Sequence, residues 1–287
     1  MHPADFDPLS DFPDPSAGLA MGDIVRVGDR RATATQDAIA CEQAVALEYN
    51  GIAHAALLAS PLHIPELALG FSYTEGIIQS PADVLDLEVE SVSDGLVVRL
   101  RIVNARLHAL KLRRRSLAGS TSCGLCGVQS LAQIRRDLPP LDAPEHPWSA
   151  RAIQSALEQL RQRQPLHNLT GATHAAAWAD AEGRLAWTYE DVGRHNALDK
   201  LIGRLLREPV DRGRGFVVIS SRASFEMVQK AHAAGIRALI AVSAPTTLAV
   251  RLAQEAPMML AGFARDGRCA IYSRPDDLNM DLDGSRT

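Results

Sequence analysis

The sequence predicts an α/β protein in two parts: a smaller N-terminal α+β unit and a C-terminal three-layer α/β/α domain. Three observations predict it. Asn-Gly and Asp-Gly turns separate apolar runs in the first half, strands and helices alternate in the second, and prolines gather between them. A chain of 287 residues, 46% apolar and 22% charged, lets each part bury its own core without metal or disulfide staples.

In the first half, apolar runs between Cys41 and Ser60 flank Asn50-Gly51, the turn pair that best tolerates positive φ, and predict a hairpin. Pro65 opens a helix that runs to Ile78, and Ser80-Pro81 starts a shorter one. Leu87–Val92 and Leu96–Val103 form a second hairpin across Asp94-Gly95. Prolines at 139, 140, 144 and 147 cannot continue regular structure and mark a boundary. Beyond it Ser149 caps a helix to about Arg163, with Ile153, Leu157 and Leu160 on one face. Strands follow at Thr173–Ala179 and Leu185–Tyr189, then a helix from Asn196 to about Arg207 and a strand at Phe216–Ser220. A helix from Ser224 to Gly235, a strand at Ala238–Val242 and a helix after Pro245 complete the alternation, and Met258–Ala264 pairs with Cys269–Tyr272 across Asp266-Gly267. The division is therefore a disordered acidic tail (1–22), an N-terminal domain (23–138), a proline-rich linker (139–148), a C-terminal domain (149–275) and a flexible tail (276–287).

The net charge of −4 gives no electrostatic case for nucleic-acid binding. No apolar run approaches the length of a membrane span, and the first twenty residues, with four Asp, four Pro and no Lys or Arg, lack the features of a secretory signal. Of 30 basic residues only Lys111, Lys200 and Lys230 are lysines; arginine is the better planar partner for phosphate, although a genome-wide bias would give the same count. Four cysteines are too few for a secreted disulfide framework, so a reducing compartment is expected.

Two of those cysteines carry the most specific local chemistry. Cys123 and Cys126 stand in Ser120-Thr-Ser-Cys-Gly-Leu-Cys-Gly127, ahead of a helical pattern over Val128–Leu138. A thiol just before a helix meets unpaired N–H groups and the positive dipole end, which favour thiolate, and Lys111, Arg113, Arg114 and Arg115 add positive charge upstream. Cys123 is therefore a candidate sulfur nucleophile. A thioredoxin-like dithiol remains open; half of a zinc site lacks the two further ligands it needs, and a serine precedes Cys123 where a zinc deaminase has proline. No metal ligand set can be assembled. Cys41 and Cys269 are assigned to the core, and His54, His108 and His232 to core or surface roles.

The second cluster is a set of polar turns at strand ends: Glu190–Asn196, Ser220–Ser224, Ser243–Thr247 and Phe263–Arg268. If the strands are neighbours, the turns share the rim where open α/β sheets bind ligands. Arg194 and Arg222 could pair with phosphate, Arg265 and Arg268 add charge, His195 and Ser221 lie beside them, and Asp191 suits either a guanine edge or a helix cap. Four such turns favour a nucleotide-like ligand over ordinary capping.

Glu190-Asp-Val-Gly-Arg-His-Asn-Ala-Leu-Asp-Lys200, Thr170-Gly-Ala-Thr-His-Ala-Ala-Ala177, Ser220-Ser-Arg-Ala-Ser-Phe-Glu-Met-Val-Gln-Lys230, Gly70-Phe-Ser-Tyr-Thr-Glu-Gly-Ile-Ile78 and the Cys123/Cys126 segment together resemble the formate dehydrogenase accessory sulfurtransferases, the FdhD family, over roughly residues 40 to 273. The resemblance implies a cytoplasmic homodimer whose larger domain has a cytidine-deaminase-like fold without the zinc. It implies a sulfur carrier that takes persulfide sulfur from a cysteine desulfurase and passes it to the molybdenum cofactor, as molybdopterin guanine dinucleotide, before insertion into formate dehydrogenase. By the same resemblance Cys123 carries the persulfide and Cys126 is accessory. The cofactor-binding stretch falls on Phe263, Ala264, Arg265, Asp266, Gly267 and Arg268, and GDP is the expected fragment ligand. A disulfide oxidoreductase and a non-catalytic cofactor-delivery chaperone are the competing readings. Neither nucleic acid nor membrane is an expected partner.

Overall fold

A computed structural model describes residues 18–28, 31–118, 136, 138, 140–142 and 146–280. Strands β1 (Leu19–Gly28) and β2 (Arg31–Ala40) form an antiparallel ribbon that the sequence reading did not foresee. It begins inside the stretch expected to be a tail, and the Cys41 N–H closes its base on the Gly18 carbonyl at 2.8 Å. Alternating Ala and Thr in β2 carry little strand signal until a partner pairs with them.

The two hairpins of the first half join into one sheet. Strands β3 (Gln43–Tyr49) and β4 (Ile52–Ala59) flank Asn50 and Gly51, both at positive φ (49° and 75°), as the turn chemistry requires. Strands β5 (Val84–Val92) and β6 (Gly95–Ile102) form the second hairpin, and β3 lies parallel to β6 to give the order β4-β3-β6-β5. Val45, Leu47, Tyr49, Val98, Leu100 and Ile102 share a core with Leu67 and Ala68 of α1 (Ile64–Thr74). Helix α1 stops four residues earlier than expected, before Gly76 at φ 71°. The basic stretch around Lys111 belongs to a further helix, α2 (Asn104–Ala118).

In the second half Ser149 caps α3 (Ala150–Gln162), its Oγ accepting the Ala152 N–H at 3.2 Å, and a short helix α4 (Pro165–Thr170) follows. Two-residue strands β7 (Trp148–Ser149) and β14 (Leu278–Asn279) pair in parallel, so residues 276–280 are held where a flexible tail was expected. Arg274 also forks onto Asp277, with both contacts at 3.0 Å.

The main sheet consists of β8 (His174–Ala179), β9 (Leu185–Asp191), β10 (Phe216–Ile219), β11 (Ala238–Ala241), β12 (Met259–Arg265) and β13 (Arg268–Ser273). Their order is β13-β12-β11-β10-β8-β9, with β10, β11 and β12 parallel and the others antiparallel to their neighbours. Alternation along the strands divides the core. Ala176, Val217, Ile219 and Leu239 face α5 (Arg194–Leu205), α6 (Phe225–Ala233) and α7 (Thr247–Glu255), while Ala175, Ala177, Val218 and Ile240 face Ile153, Leu157 and Leu160 of α3. The result is a mixed α/β fold with the larger sheet between two helical layers.

Helices α1 and α5 meet almost backbone to backbone. A Cβ on Gly70 would lie 1.8 Å from the Asp199 carbonyl oxygen, and one on Gly203 would lie 2.0 Å from that of Glu66. Only glycine at both positions permits the approach. No helix among the described residues is long and apolar enough to cross a membrane.

Candidate functional site

The topology brings all four polar turns to one edge of the main sheet. Strands β10, β11 and β12 end there, and antiparallel pairing places the start of β8 and the end of β9 beside them, with His174 opposite Asp191. Backbone bonds join the turns: Ser220 N–H to Ala175 O (3.0 Å), Ala223 N–H to Ala244 O (3.2 Å), Thr246 N–H to Ala223 O (3.0 Å) and Phe263 N–H to Ser243 O (3.1 Å). The edge is therefore one connected surface.

Beneath it lies a fully buried ion pair. Lys200 Nζ is 2.6 Å from Asp191 Oδ2, and both side chains are 0% exposed. Asp191 also accepts the Ser60 N–H (3.0 Å), the Gly193 N–H (2.7 Å) and the Asn196 side-chain amide (3.0 Å), while Lys200 donates to the Ser60 carbonyl at 3.1 Å. Burial pulls the lysine below its ordinary pKa, and the Asp191 carboxylate opposes that shift. A second pair sits one layer away. Lys230 contacts Asp199 at 2.8 Å, Glu75 at 3.1 Å and the Thr74 hydroxyl at 2.9 Å. Burial lowers the Lys230 pKa, but Asp199 and Glu75 outweigh it and hold the ammonium above its usual range. Both clusters join residues of the first half to α5 and α6.

Toward the surface the charges lose their partners. Among the described residues Arg194, Arg222, Arg265 and Arg268 make no ion pair, and the buried Nε of Arg194 has no hydrogen-bond acceptor. Next to them a cavity of about 360 Å³ opens between α3, α4 and the sheet edge, lined by Arg161, Gln164, His167, Thr173, His174, Ser220, Val242 and Ala264 among others. Glu190 braces two of the lining residues, accepting the His167 N–H (2.8 Å) and the Thr173 hydroxyl (2.8 Å) together with the Leu166 N–H (2.9 Å). Burial raises the Glu190 pKa against those three bonds. Burial also lowers the His174 pKa, reinforced by the charges of Arg194, His167 and Arg222. An anion at the sheet edge would meet guanidinium groups that have no ion-pair partner among the described residues.

A sequence profile described as the FdhD/NarQ family matches residues 40–279. The chain belongs to the FdhD/NarQ family. It is 52% identical to a sulfur carrier protein FdhD of Bordetella petrii over 256 residues, which is 89% of this chain and 92% of that one. Identity to the protein of the same name from Cupriavidus necator is 50%, with 84% of each chain covered. A crystal structure described as a formate dehydrogenase accessory protein from Desulfotalea psychrophila superposes with a TM-score of 0.71 at 21% identity, covering 91% of this chain and 99% of that one, and so shares the fold.

In this FdhD/NarQ chain the sequence-predicted residues separate into groups. Cys123 and Cys126 lie outside the described residues. Arg194, Arg222, Arg265, Asp266, Gly267 and Arg268 stand at the sheet edge, with Asp266 and Gly267 forming a two-residue turn at φ 52° and 74°. Asp266 is bound by Arg161 at 2.8 Å, an exposed pair worth little to stability. Phe263 is 45% exposed at φ 52°, an unusual backbone for a bulky residue, whereas Ala264 is buried and lines the cavity.

Asp191 anchors the turn rather than facing the open edge, since both its oxygens are spent within the chain; the helix cap itself is Gly193, without a side-chain cap bond. Ser221 is buried and donates to the Arg222 carbonyl at 3.1 Å. His195 Nε2 stands 2.6 Å from Glu226; burial lowers the histidine pKa, and the carboxylate opposes that shift. Cys41 and Cys269 are half-buried rather than core residues, because each sits at a strand margin; burial pushes the Cys269 thiol up. Sequence reasoning missed the cavity and with it Arg161, Gln164, His167, Thr173 and His174 as candidates. The available signal was the pair of histidines on either side of Gly171, which ends α4 at φ 67°.

Proposed function

We propose that this chain is a sulfur carrier that serves formate dehydrogenase, acting as a homodimer in the cytoplasm. Cys123 takes the outer sulfur of a cysteine desulfurase persulfide and delivers it to the molybdenum cofactor in its guanine dinucleotide form. In the first step the Cys123 thiolate attacks the terminal sulfur, a new S–S bond forms, and the desulfurase thiolate leaves. In the second an electron pair of the acceptor attacks the outer sulfur, the acceptor–sulfur bond forms as the S–S bond breaks, and the Cys123 thiolate leaves with the bond's electrons, the acceptor being oxidised by two electrons. Cys126 is accessory in this scheme.

The observation that carries this reading is the unneutralised cationic edge beside a cavity large enough for a nucleoside, in a chain whose relatives are named sulfur carriers. Arg194, Arg222, Arg265 and Arg268 suit the pyrophosphate links of such a cofactor, and Phe263 offers an exposed ring beside them. The described cysteines are poor alternatives for the sulfur chemistry: Cys269 has a raised thiol pKa and is half-buried.

The test is an intact mass after incubation with a cysteine desulfurase and cysteine. One added sulfur atom is expected, absent in Cys123→Ala and retained in Cys126→Ser. An adduct that survives Cys123→Ala removes the carrier role from that residue, and equal loss of function in the two serine variants points instead to a dithiol oxidoreductase. Cysteine variants that still activate formate dehydrogenase would leave only cofactor delivery.

A further inference from the structure

His174 opens β8 at the junction of the cavity and the cationic edge, and its ring makes no hydrogen bond among the described residues. The groups around it come from five neighbouring elements. Arg194 is the first residue of α5, Arg222 lies in the turn after β10, His167 is on α4 and Arg161 on α3, while Asp191 and Glu190 come from β9. The negative groups are already committed: Asp191 to Lys200, Ser60, Gly193 and Asn196, and Glu190 to the N–H groups of Leu166 and His167 and to Thr173. Arg161 is bound to Asp266. What remains unanswered near the imidazole is positive.

We propose that His174 takes up a proton when a nucleoside diphosphate seats on this edge, and so becomes a further cationic contact to the phosphates beside Arg194 and Arg222. The inference rests on the reading of the edge as a nucleotide site. Without ligand, burial and the neighbouring guanidiniums disfavour a charge on the ring; a phosphate dianion opposes both by supplying the missing counter-charge. The sign follows from linkage. Between the protonation midpoints of the free and the bound states, affinity rises as pH falls, by at most about tenfold per pH unit for one proton.

The experiment is calorimetry of GDP with the full chain between about pH 6 and 8, in paired buffers of different ionisation enthalpy. Wild type is expected to take up more protons than His174→Asn, and its affinity to climb more steeply on acidification; protonation of GDP itself is common to both and cancels. NMR titration of the His174 ring in the wild-type chain, with and without GDP, gives a readout free of any folding defect in the variant, and the midpoint is expected to rise when GDP is present. Equal proton uptake in both chains, or an unmoved ring midpoint with GDP bound, overturns the role of His174 alone. Absence of any GDP heat in wild type overturns the nucleotide reading together with it.

Discussion

Helix α5 carries two kinds of charge within two turns, and the contrast between them separates architecture from function. Asp199 and Lys200, near its middle, are sealed from water with every charge answered, by Lys230 and Thr74 in one case and by Asp191 and Ser60 in the other. Arg194, at its first turn, keeps a buried Nε without an acceptor. A buried charge with a full set of partners is costly to create and worse to disrupt, so it fixes how elements meet. A cation without an ion-pair partner at a sheet edge carries no such structural task, and that leaves it available to the ligand proposed above.

The largest effect that would test this contrast is at Lys200. Lys200→Met leaves the Asp191 carboxylate buried without its cation and is expected to cost about 3–5 kcal/mol in urea unfolding. A loss below about 1 kcal/mol would remove the pair from its architectural role. Next comes Gly203→Ala. Its methyl would sit 2.0 Å from the Glu66 carbonyl oxygen, so α1 and α5 must separate. A loss of about 1–3 kcal/mol is expected, read as a lowered Tm. The smallest stability change belongs to Arg222→Ala. With no ion pair among the described residues to lose, stability should stay within about 0.5 kcal/mol of wild type while GDP binding measured by calorimetry weakens. Arg222→Ala unfolding as readily as Lys200→Met would erase the distinction.

Much of the fold was legible where local chemistry decides it. Asn50-Gly51 and Asp266-Gly267 occupy the positive φ values that their turns need, and Ser149 caps α3 as its position suggests. The β1/β2 ribbon was not legible, because β2 is rich in alanine and threonine and β1 is broken by Gly22 and Asp23, so the two declare themselves only through pairing. Helix α2 was hidden by its charge: with four basic residues between Lys111 and Arg115 it reads as a patch, lacking a clean apolar stripe. At the candidate site the turns were visible as clusters of small polar residues, and their meeting on one edge followed from strand order. The Ser60 carbonyl that joins Asp191 in holding Lys200 was not, since it is 140 residues away and only tertiary structure brings it near. The cavity escaped for the same reason: its walls come from α3, α4 and four strands or their turns, none of which looks unusual alone.

The glycine crossing of α1 and α5 has a practical corollary for anyone wishing to cut this gene in two. Expressing the stretch after the proline cluster by itself would strip α5 of the carbonyl that Lys200 uses at Ser60 and the hydroxyl that Asp199 uses at Thr74, and would bare a helix face shaped for backbone rather than water. Such a fragment should come out insoluble, and supplying the missing portion as a separate polypeptide should rescue it.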